Sequence, residues 1–350
     1  MGASTYPKTI KVLALLNSGD KTEPSAVDIY RVTSPFSHIN TNTKDMVCKW
    51  MPIADALADT RLVMGQDIIV LPRYIGKTGD MIDDLRATTG AQIVFETDDD
   101  YSNHYREISP VSMEEMARMC DYATVSTKAL ARMVKLISDT PCMVLENHIE
   151  FEIFSKVARQ TEKMYEETTI MLVGTTTHYD DWLPAATAAL RVAKRHSDVR
   201  LLVGGYQPDY LQEATYIPPV PYVQYPSLMR QADIVLCAVD PDDYFNKSKS
   251  AIKAIESWSA ERLVGKVPGG AAVIATQGTT YGGVVQNNHN GLLVRHTEDC
   301  WESAIEKLLE NRRLRQKLQR EGYKDARKHH NIADGWRQWY RAYQTMRRNK

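Results

Sequence analysis

The sequence predicts an α/β protein with two doubly wound parallel sheets, one in each half of the chain. Two observations predict this class. Short β-branched and aliphatic runs alternate with amphipathic stretches along the chain, and the polar stretch Arg159–Thr168 divides this alternation into two series. At 350 residues the chain is long enough for two domains of ordinary size. We expect the carboxyl ends of the two sheets to face each other across a cleft.

In the first half, apolar runs predict the strands and helix-period patterns predict the helices between them. The predicted strands are Ile10–Leu16, Ile68–Leu71, Gln92–Phe95, Ala123–Ser126 and Met143–Glu146. The predicted helices lie around Asp45–Met64, Thr78–Thr89, Ser112–Cys120 and Lys128–Ile137.

The second half repeats the alternation and ends in an amphipathic segment. The predicted strands are Thr169–Val173, Arg200–Val203, Pro221–Val223, Ile234–Ala238, Ala272–Ala275 and Leu292–Val294. The predicted helices are Asp181–His196, Pro226–Ala232, Ser248–Ala260, Thr297–Glu310 and Arg313–Lys328. The segment Ala333–Met346 clusters Trp and Tyr and predicts a helix that docks on a core. The predicted domains are residues 1–160 and 161–330, followed by this helix within 331–350.

Composition restricts the class of protein. Hydrophobic residues make up 43% of the chain and charged residues 25%, as in soluble globular proteins. The net charge of −1 provides no large basic field, so nucleic acid is unsupported as a partner but not excluded. No apolar run reaches about 18 residues, and no signal-peptide pattern precedes the first strand, so we expect no membrane span. Scattered cysteines without a C-x-x-C pair predict reduced thiols in a cytoplasmic protein, and they are Cys48, Cys120, Cys142, Cys237 and Cys300.

The stretch Phe245–Glu256, which reads FNKSKSAIKAIE, is the most informative part of the sequence. Asn246 and Ser248 are residue types that favour a helix start. A helix beginning at Ser248 would present free backbone N–H groups, which can bind an anion such as a diphosphate.

In such a helix Lys249, Lys253 and Glu256 would share one face. The two ammonium groups would complement a diphosphate, and the carboxylate could accept hydrogen bonds from the vicinal hydroxyls of a ribose. The alternative is a solvated helix face with one ion pair, which is the common meaning of this spacing.

The second half opens with Val173–Asp181, a Gly/Thr-rich turn between a predicted strand and a predicted helix. Open α/β sheets bind ligands at such turns, which makes His178 a candidate ligand-binding residue. Asp180 or Asp181 is expected to cap the following helix. No G-x-G-x-x-G pattern follows the first strand, so a dinucleotide fingerprint is missing.

Three adjacent carboxylates end the stretch Phe95–Asp100 in the first half. They predict a general base or a metal site, or else a polar loop with capping Asp residues. No second carboxylate cluster accompanies them, so a dedicated metal site is the weaker of the functional interpretations. Arg31 and Arg73 also fall near predicted strand ends, where each could clamp a phosphate or form a surface ion pair.

Taken in order, these motifs resemble the GT-B glycosyltransferases, and within them the family-4-like group (group 1). The likeness is clearest over residues 167–325. GTTTHYDDW resembles the family's G-x-x-x-H-x-x-D motif, and QADIVLC its ADIVLxP strand. FNKSKSAIKAIE resembles the FNxxKSxIKxxE form of its donor-site helix. AAVIAT, Tyr281 and NGLLV resemble its PVIAS…Y…NGLLV tail.

The resemblance implies two Rossmann-like domains facing a cleft, with the terminal helix returning toward the first. It implies that Glu256 binds the donor ribose and that Lys249 and Lys253 neutralise its diphosphate. The full set of predicted donor-binding residues is Gly174, Asn246, Lys249, Lys253, Glu256 and Tyr281. The predicted catalytic residues are Asp98, Asp99 and His178, and the phosphate or acceptor candidates are Arg31 and Arg73.

Two departures from the family pattern affect the donor site. The family motif is E-x7-E, but Ser248 stands eight residues before Glu256. The stretch Ser257–Gly270 is also longer than the family's usual connection, which makes Glu261 an alternative ribose ligand. The identity of the transferred sugar is therefore open.

The predicted function is transfer of a sugar from a nucleotide-diphosphate sugar to a hydroxyl acceptor. The resemblance implies an enzyme that retains anomeric configuration and needs neither metal nor another cofactor. The donor is expected on the second domain, and a carbohydrate or other hydroxyl acceptor on the first. One alternative keeps this chemistry with a hydroxymethylated DNA base as acceptor. A second alternative is a degenerate protein that binds nucleotide sugar without turnover, and a nicotinamide oxidoreductase is disfavoured by the missing glycine fingerprint.

Overall fold

The computed structural model describes residues 9–17, 24–73, 79–101 and 113–348. The described chain divides into two compact units. The first unit contains the described residues up to His148, the short segment Ser248–Ser250 and the residues from Ile332 onward. The second unit contains Ile149–Lys247 and Ala251–Asn331. Each unit is an α/β structure built around one parallel sheet, which confirms the predicted fold class.

The sheet of the first unit has six parallel strands in the order β2-β1-β3-β4-β5-β6. These strands are β1 Ile10–Leu16, β2 Met46–Pro52, β3 Ile68–Pro72, β4 Gln92–Thr97, β5 Tyr122–Val125 and β6 Cys142–Val144. Five of the six agree with the prediction to within two residues at each end. Because the central strands are covered on both faces, their sequences are continuous apolar runs that are easily recognised.

Strand β2 corrects the helix that we predicted around Asp45–Met64. Met46 and Cys48 are buried while Val47 between them is exposed, which is the period of a strand. β2 pairs along its length with β1 at the edge of the sheet. A short helix, Ile53–Ala58, and a 3₁₀ turn, Thr60–Val63, follow it.

Helices of the first unit connect the strands and cover both faces of the sheet. They are α1 Ala26–Asp28, α2 Ser34–Asn42, α3 Ile53–Ala58, α4 Gly79–Thr89, α5 Met113–Met119 and α6 Lys128–Ile137. A π-helical turn over Ile29–Thr33 joins α1 to α2. Residues 78 and 112, where two predicted helices begin, lie outside the described residues.

The second sheet also has six parallel strands, in the order β14-β13-β10-β7-β8-β9. They are β7 Thr168–Gly174, β8 Val199–Gly205, β9 Thr215–Ile217, β10 Ile234–Cys237, β13 Ala272–Thr276 and β14 Leu292–Val294. β11 Arg262–Val264 and β12 Val267–Gly269 form a separate antiparallel hairpin within the stretch that is longer than the family pattern. The predicted strand Pro221–Val223 is wrong, since Tyr222–Gln224 is a 3₁₀ turn and β9 precedes it.

Helices of the second unit precede and alternate with these strands. They are α7 Phe151–Gln160, α8 Leu183–Arg195, α9 Tyr225–Met229, α10 Ile252–Ser259, α11 Glu298–Glu310 and α12 Arg312–His329. The predicted helix start at Ser248 is wrong, because α10 begins at Ile252 after an N-cap residue, Ala251, that makes no side-chain cap bond.

The end of the chain belongs to the first unit, as the resemblance implied. α13 Ile332–Gly335 and α14 Arg337–Arg348 pack on the sheet face formed by residues such as Val12 and Val70. Trp339 is fully buried there, and its indole N–H donates to the carbonyl of Arg31. Every helix in the described ranges is too short or too polar to cross a lipid bilayer.

Candidate active site

The order of the strands in the second unit shows where a ligand can bind. From β7 the chain moves outward through β8 to β9, and from β10 it moves the other way through β13 to β14. The connection therefore reverses between β7 and β10, where the loops after the two strands diverge and leave a crevice at their carboxyl ends. Gly174 ends β7 and Cys237 ends β10, so the loops that follow them border this crevice.

His178 and Asp181 lie in the loop after β7 and are tied to each other. The Nδ1 atom of His178 lies 3.0 Å from Oδ2 of Asp181, and its ring stacks on Trp182 at 2° between the planes. A Cβ atom at Gly174 would lie 2.6 Å from the His178 ring, so only glycine leaves room for this ring position. His178 is thus fixed in one orientation beside the last residue of β7.

Asp181 is a buried side chain that links two loops of the second unit. Its Oδ1 atom accepts hydrogen bonds from the backbone N–H of Asp240, at 2.9 Å, and from the side-chain amide of Asn246. The predicted capping role is wrong, because the N-cap of α8 is Trp182 and it makes no side-chain cap bond. Asn246 does not start a helix either, but it connects the loop after β10 to the loop after β7.

Glu256 and Lys253 lie on α10 and form a closed triangle with Tyr225. Lys253 Nζ lies 3.0 Å from Oε2 of Glu256 and 2.6 Å from the Tyr225 hydroxyl, which donates to the same Oε2 atom at 3.2 Å. Burial acts to lower the pKa of Lys253, but Glu256 and Tyr225 raise it well above its usual value. The lysine therefore stays charged beside a carboxylate that is only 4% exposed.

Tyr281 lies in the 3₁₀ turn after β13 and is buried near this triangle. Burial raises its pKa, and the neighbouring Cys237 thiol, which hydrogen-bonds it, and the charges of Glu256 and Asp181 raise it further. The structure thus brings the predicted residues Gly174, Asn246, Lys253, Glu256 and Tyr281 to one end of the second sheet.

Glu261 has a different environment. Its Oε1 atom lies 3.1 Å from Nη1 of Arg159, and its Oε2 atom accepts a hydrogen bond of 2.7 Å from the Tyr323 hydroxyl. Both carboxylate oxygens hold α7 and α12 in place. This arrangement favours Glu256 over Glu261 as a ligand-binding carboxylate.

Lys249 precedes α10, so it does not share a helix face with Lys253 as predicted. The segment Ser248–Ser250 belongs to the first unit, where the carbonyl of Ser248 accepts from Thr127 at 2.9 Å. The Ser250 hydroxyl accepts from the Asn147 amide at 2.9 Å. Lys249 acts electrostatically on Asp99 in the same unit.

Asp98 and Asp99 follow β4 in the first unit, beside the point where strand order reverses between β1 and β3. Burial raises the pKa of both carboxyls. The charge of Asp98 helps to raise the pKa of Asp99 to about 7, although Lys249 and Arg73 act in the opposite direction. Asp99 can therefore gain and lose a proton near neutral pH.

Arg73 follows β3 and lies among these acids. Its guanidinium lies 4.0 Å from Asp98 and 3.6 Å from Asp28, and it donates to the Ser25 hydroxyl at 3.0 Å. Its backbone has a φ of 45°, in the region that L-residues rarely adopt. A strained residue at a sheet end is a common property of ligand-binding sites.

Arg31 is a buried structural cation. It pairs with both oxygens of Glu96 at 2.8 and 3.0 Å, donates to Asn147 at 2.8 Å and stacks on Trp339. It is 1% exposed. It forms a buried ion pair in place of the phosphate clamp or surface pair considered above.

Sequence reasoning missed Tyr225 and the bridging role of Asp181. Tyr225 belongs to no recognised motif. Its place in the site is shown by its hydrogen bond to Glu256, which lies 31 residues further along the chain. Among the described residues, no group of three His, Cys, Asp or Glu side chains is arranged to hold a metal ion.

Comparison with known proteins agrees with this architecture. Residues 186–341, a little under half of the chain, match a family model described as glycosyl transferase-like. Sucrose-phosphate synthase from Thermosynechococcus elongatus aligns over 97% of this chain and 100% of its own, with a TM-score of 0.69 and 13% identity. The chain has the GT-B fold.

Two further solved structures of this fold contain a nucleotide sugar. HepE from Anabaena in complex with UDP-glucose covers 96% of this chain and 100% of its own, with a TM-score of 0.66 and 12% identity. The E. coli trehalose-6-phosphate protein bound with UDP-2-fluoro glucose covers 95% and 98%, with a TM-score of 0.65 and 12% identity. No curated protein matches the chain in sequence. The family match and the fold support the prediction of a GT-B glycosyltransferase.

Proposed function

We propose that this chain transfers a sugar from a nucleotide-diphosphate sugar to a hydroxyl acceptor, and that the donor binds the second unit. The observation that carries the proposal is the buried carboxylate of Glu256. It lies near the carboxyl ends of β10 and β13, where it acts on Tyr281 and Cys237. A buried carboxylate at the end of a parallel sheet is suited to accept hydrogen bonds from a ribose diol.

The base of the donor is proposed as uracil, because two of the similar structures are described with UDP sugars. The transferred sugar is proposed to be a hexose on the same ground. Departure of the diphosphate requires positive charge or N–H donors near its oxygens. Lys249 remains a candidate for that role.

The acceptor hydroxyl is proposed to bind residues of the first unit. Asp99 is the candidate to take its proton, since a carboxyl with a pKa of about 7 is matched to general-base work at neutral pH. Arg73 next to it can orient an acceptor that carries a phosphate or carboxylate. Transfer with retention and without metal is proposed from the family resemblance.

The donor proposal is tested by calorimetry of the whole chain with UDP-glucose, ADP-glucose, GDP-mannose and dTDP-glucose. We expect saturable binding of UDP-glucose that Glu256→Gln weakens by about tenfold. Glu261→Gln is the matched control, since it changes a buried carboxylate of the same unit that is held by Arg159 and Tyr323. Absence of binding to all four donors would overturn the proposal.

Turnover is tested with the donor that binds. Donor hydrolysis followed by NMR reports the anomer formed, and a matched assay with EDTA reports metal dependence. An acceptor screen that includes sugars, sugar phosphates and hydroxymethylated duplex DNA then separates the acceptor classes. Binding without hydrolysis or transfer would indicate a nucleotide-sugar-binding protein in place of an enzyme.

A further inference from the structure

We infer that Tyr225 and Lys253 are positioning residues that hold the Glu256 carboxylate for a ribose, and that Lys253 is not a ligand of the diphosphate. The inference rests on the proposed function, because it assigns Glu256 to the donor ribose. The sequence-based expectation placed both Lys249 and Lys253 at the diphosphate. The inference instead places Lys253 beside Glu256 and gives Tyr225 a role there.

The first argument is the geometry of the triangle. Lys253 Nζ and the Tyr225 hydroxyl both approach the same oxygen of Glu256, Oε2, at 3.0 and 3.2 Å. They are also bonded to each other at 2.6 Å, so neither can move without disturbing the other. Two contacts on one carboxylate oxygen, together with a third that joins the two donors, hold that oxygen in one position.

The second argument is that the partners of Glu256 are themselves fixed. The ammonium of Lys253 lies 5.0 Å from the centroid of the Tyr225 ring, a favourable cation–π distance. The Phe154 ring packs against the same ring in a T-shaped arrangement, with 6.3 Å between centroids. The Tyr225 side chain is thus held from two sides and can serve as a rigid support.

The third argument concerns charge. A lysine 3.0 Å from a buried carboxylate forms a nearly neutral pair, which exerts a much weaker field on a diphosphate than an unpaired cation does. Recruiting Lys253 to phosphate would leave the Glu256 carboxylate buried without its cation, which is costly. Other groups must therefore neutralise the leaving diphosphate.

The functional benefit is pre-organisation. A carboxylate that already has the binding orientation loses less side-chain freedom when the ribose hydroxyls arrive. Tyr225 and Lys253 act on the donor through Glu256, so their effect must depend on the presence of the ribose hydroxyls.

The experiment compares UDP with 2′,3′-dideoxy-UDP, which keeps the diphosphate but lacks the diol. Lys253→Met should weaken UDP binding by about tenfold and leave dideoxy-UDP binding within about twofold. Tyr225→Phe should act in the same direction by about threefold and is the conservative variant should Lys253→Met fail to fold. Equal losses for the two nucleotides would make Lys253 a diphosphate ligand and overturn the inference.

Lys163→Met is the matched control. Lys163 also pairs with a carboxylate of the second unit, Asp233, at 2.6 Å, and its side chain has the same 22% exposure as that of Lys253. It should leave the affinities for both nucleotides unchanged. A loss of UDP affinity in this variant as large as that in Lys253→Met would also count against a specific positioning role.

Failure of the proposed function gives a different result. If wild type binds another nucleotide, the same ribo and dideoxy pair is used with that base. If it binds none, the proposed function fails, and the contact is tested by thermal unfolding of Lys253→Met, Glu256→Gln and the double variant. We expect the loss in Tm from Lys253→Met to shrink in the Glu256→Gln background, whereas strictly additive losses would overturn the positioning contact.

Discussion

In each unit a cation pairs with a buried glutamate, and the two cations differ in the contacts that they make. In the first unit, Arg31 engages both oxygens of Glu96, and Thr124 donates to one of them at 2.7 Å. In the second unit, Lys253 and Tyr225 both donate to Oε2 of Glu256. The side chains of the first pair are 1% and 2% exposed, whereas that of Lys253 is 22% exposed.

The difference follows from the chemistry of the two cations. A guanidinium matches a carboxylate with two parallel hydrogen bonds, which produces a closed structural pair. An ammonium is a compact charge that can donate one hydrogen bond to a carboxylate oxygen and another to a hydroxyl. The Arg31–Glu96 pair thus has the geometry of a structural contact, whereas the Lys253–Glu256 pair has the geometry that the positioning role proposed above requires.

The largest expected effect comes from breaking the closed pair of the first unit. Arg31→Leu leaves the Glu96 carboxylate buried without its cation, so the free energy of unfolding should fall by about 3–5 kcal/mol. Chemical denaturation followed by intrinsic fluorescence measures this change. The double change Arg31→Leu with Glu96→Leu should recover part of the loss. A double variant less stable than the single one would contradict the assignment of Glu96 as the partner that matters.

A smaller effect is expected from Asp99, which unlike the two ion pairs should make stability depend on pH near neutrality. In the folded chain the pKa of Asp99 is about 7, above the value of about 3.9 in an unfolded chain. The folded state therefore holds this proton more tightly. Its contribution to stability is full below about pH 4 and is lost as the pH rises toward 7.

Asp99→Asn should remove this dependence, so the variant should be more stable than wild type at pH 8 and approach it near pH 4. Denaturation midpoints across this range measure the difference. Asp84→Asn, an exposed change in the same unit, is the control. A difference between Asp99→Asn and wild type that does not vary with pH would contradict the raised pKa.

The smallest expected effect is a difference in the rate at which the cysteine thiols are alkylated, which does not involve the stability of the fold. Burial raises the pKa of each cysteine in the first unit, to about 12 for both Cys120 and Cys142. In the second unit, hydrogen bonds from Thr297 and Arg295 lower the pKa of Cys300. Iodoacetamide at pH 7.5 should therefore modify Cys300 first, as peptide mass spectrometry would show. Faster modification of Cys142 than of Cys300 would contradict the expected order.

Much of the fold follows from the sequence because covered parallel strands are continuous apolar runs. Strand β1 and helix α6 have the predicted bounds, Ile10–Leu16 and Lys128–Ile137. Strand β2 was missed because its exposed positions carry Val47 and Trp50 as well as Lys49, so polarity does not alternate along the strand in the way that burial does at its start. Local periodicity could not separate it from the helix that follows.

The sequence indicated which residues to consider for the candidate site, but it did not indicate how they are arranged. The segment around Ser248 favours a helix locally, but Thr127 and Asn147 hold it from positions more than 100 residues away. Long-range contacts of this kind leave no periodic signal in the sequence. For the same reason Lys249 and Lys253 share a motif without sharing a helix.

The position of the last helices in the first unit has a consequence for synthesis on the ribosome. Domains usually fold as they emerge, beginning from the amino end. Here Trp339, Tyr343 and Met346 complete a core face with residues such as Val12. That face lacks these side chains while all of the second unit is translated, so we expect the first unit to finish folding after the second.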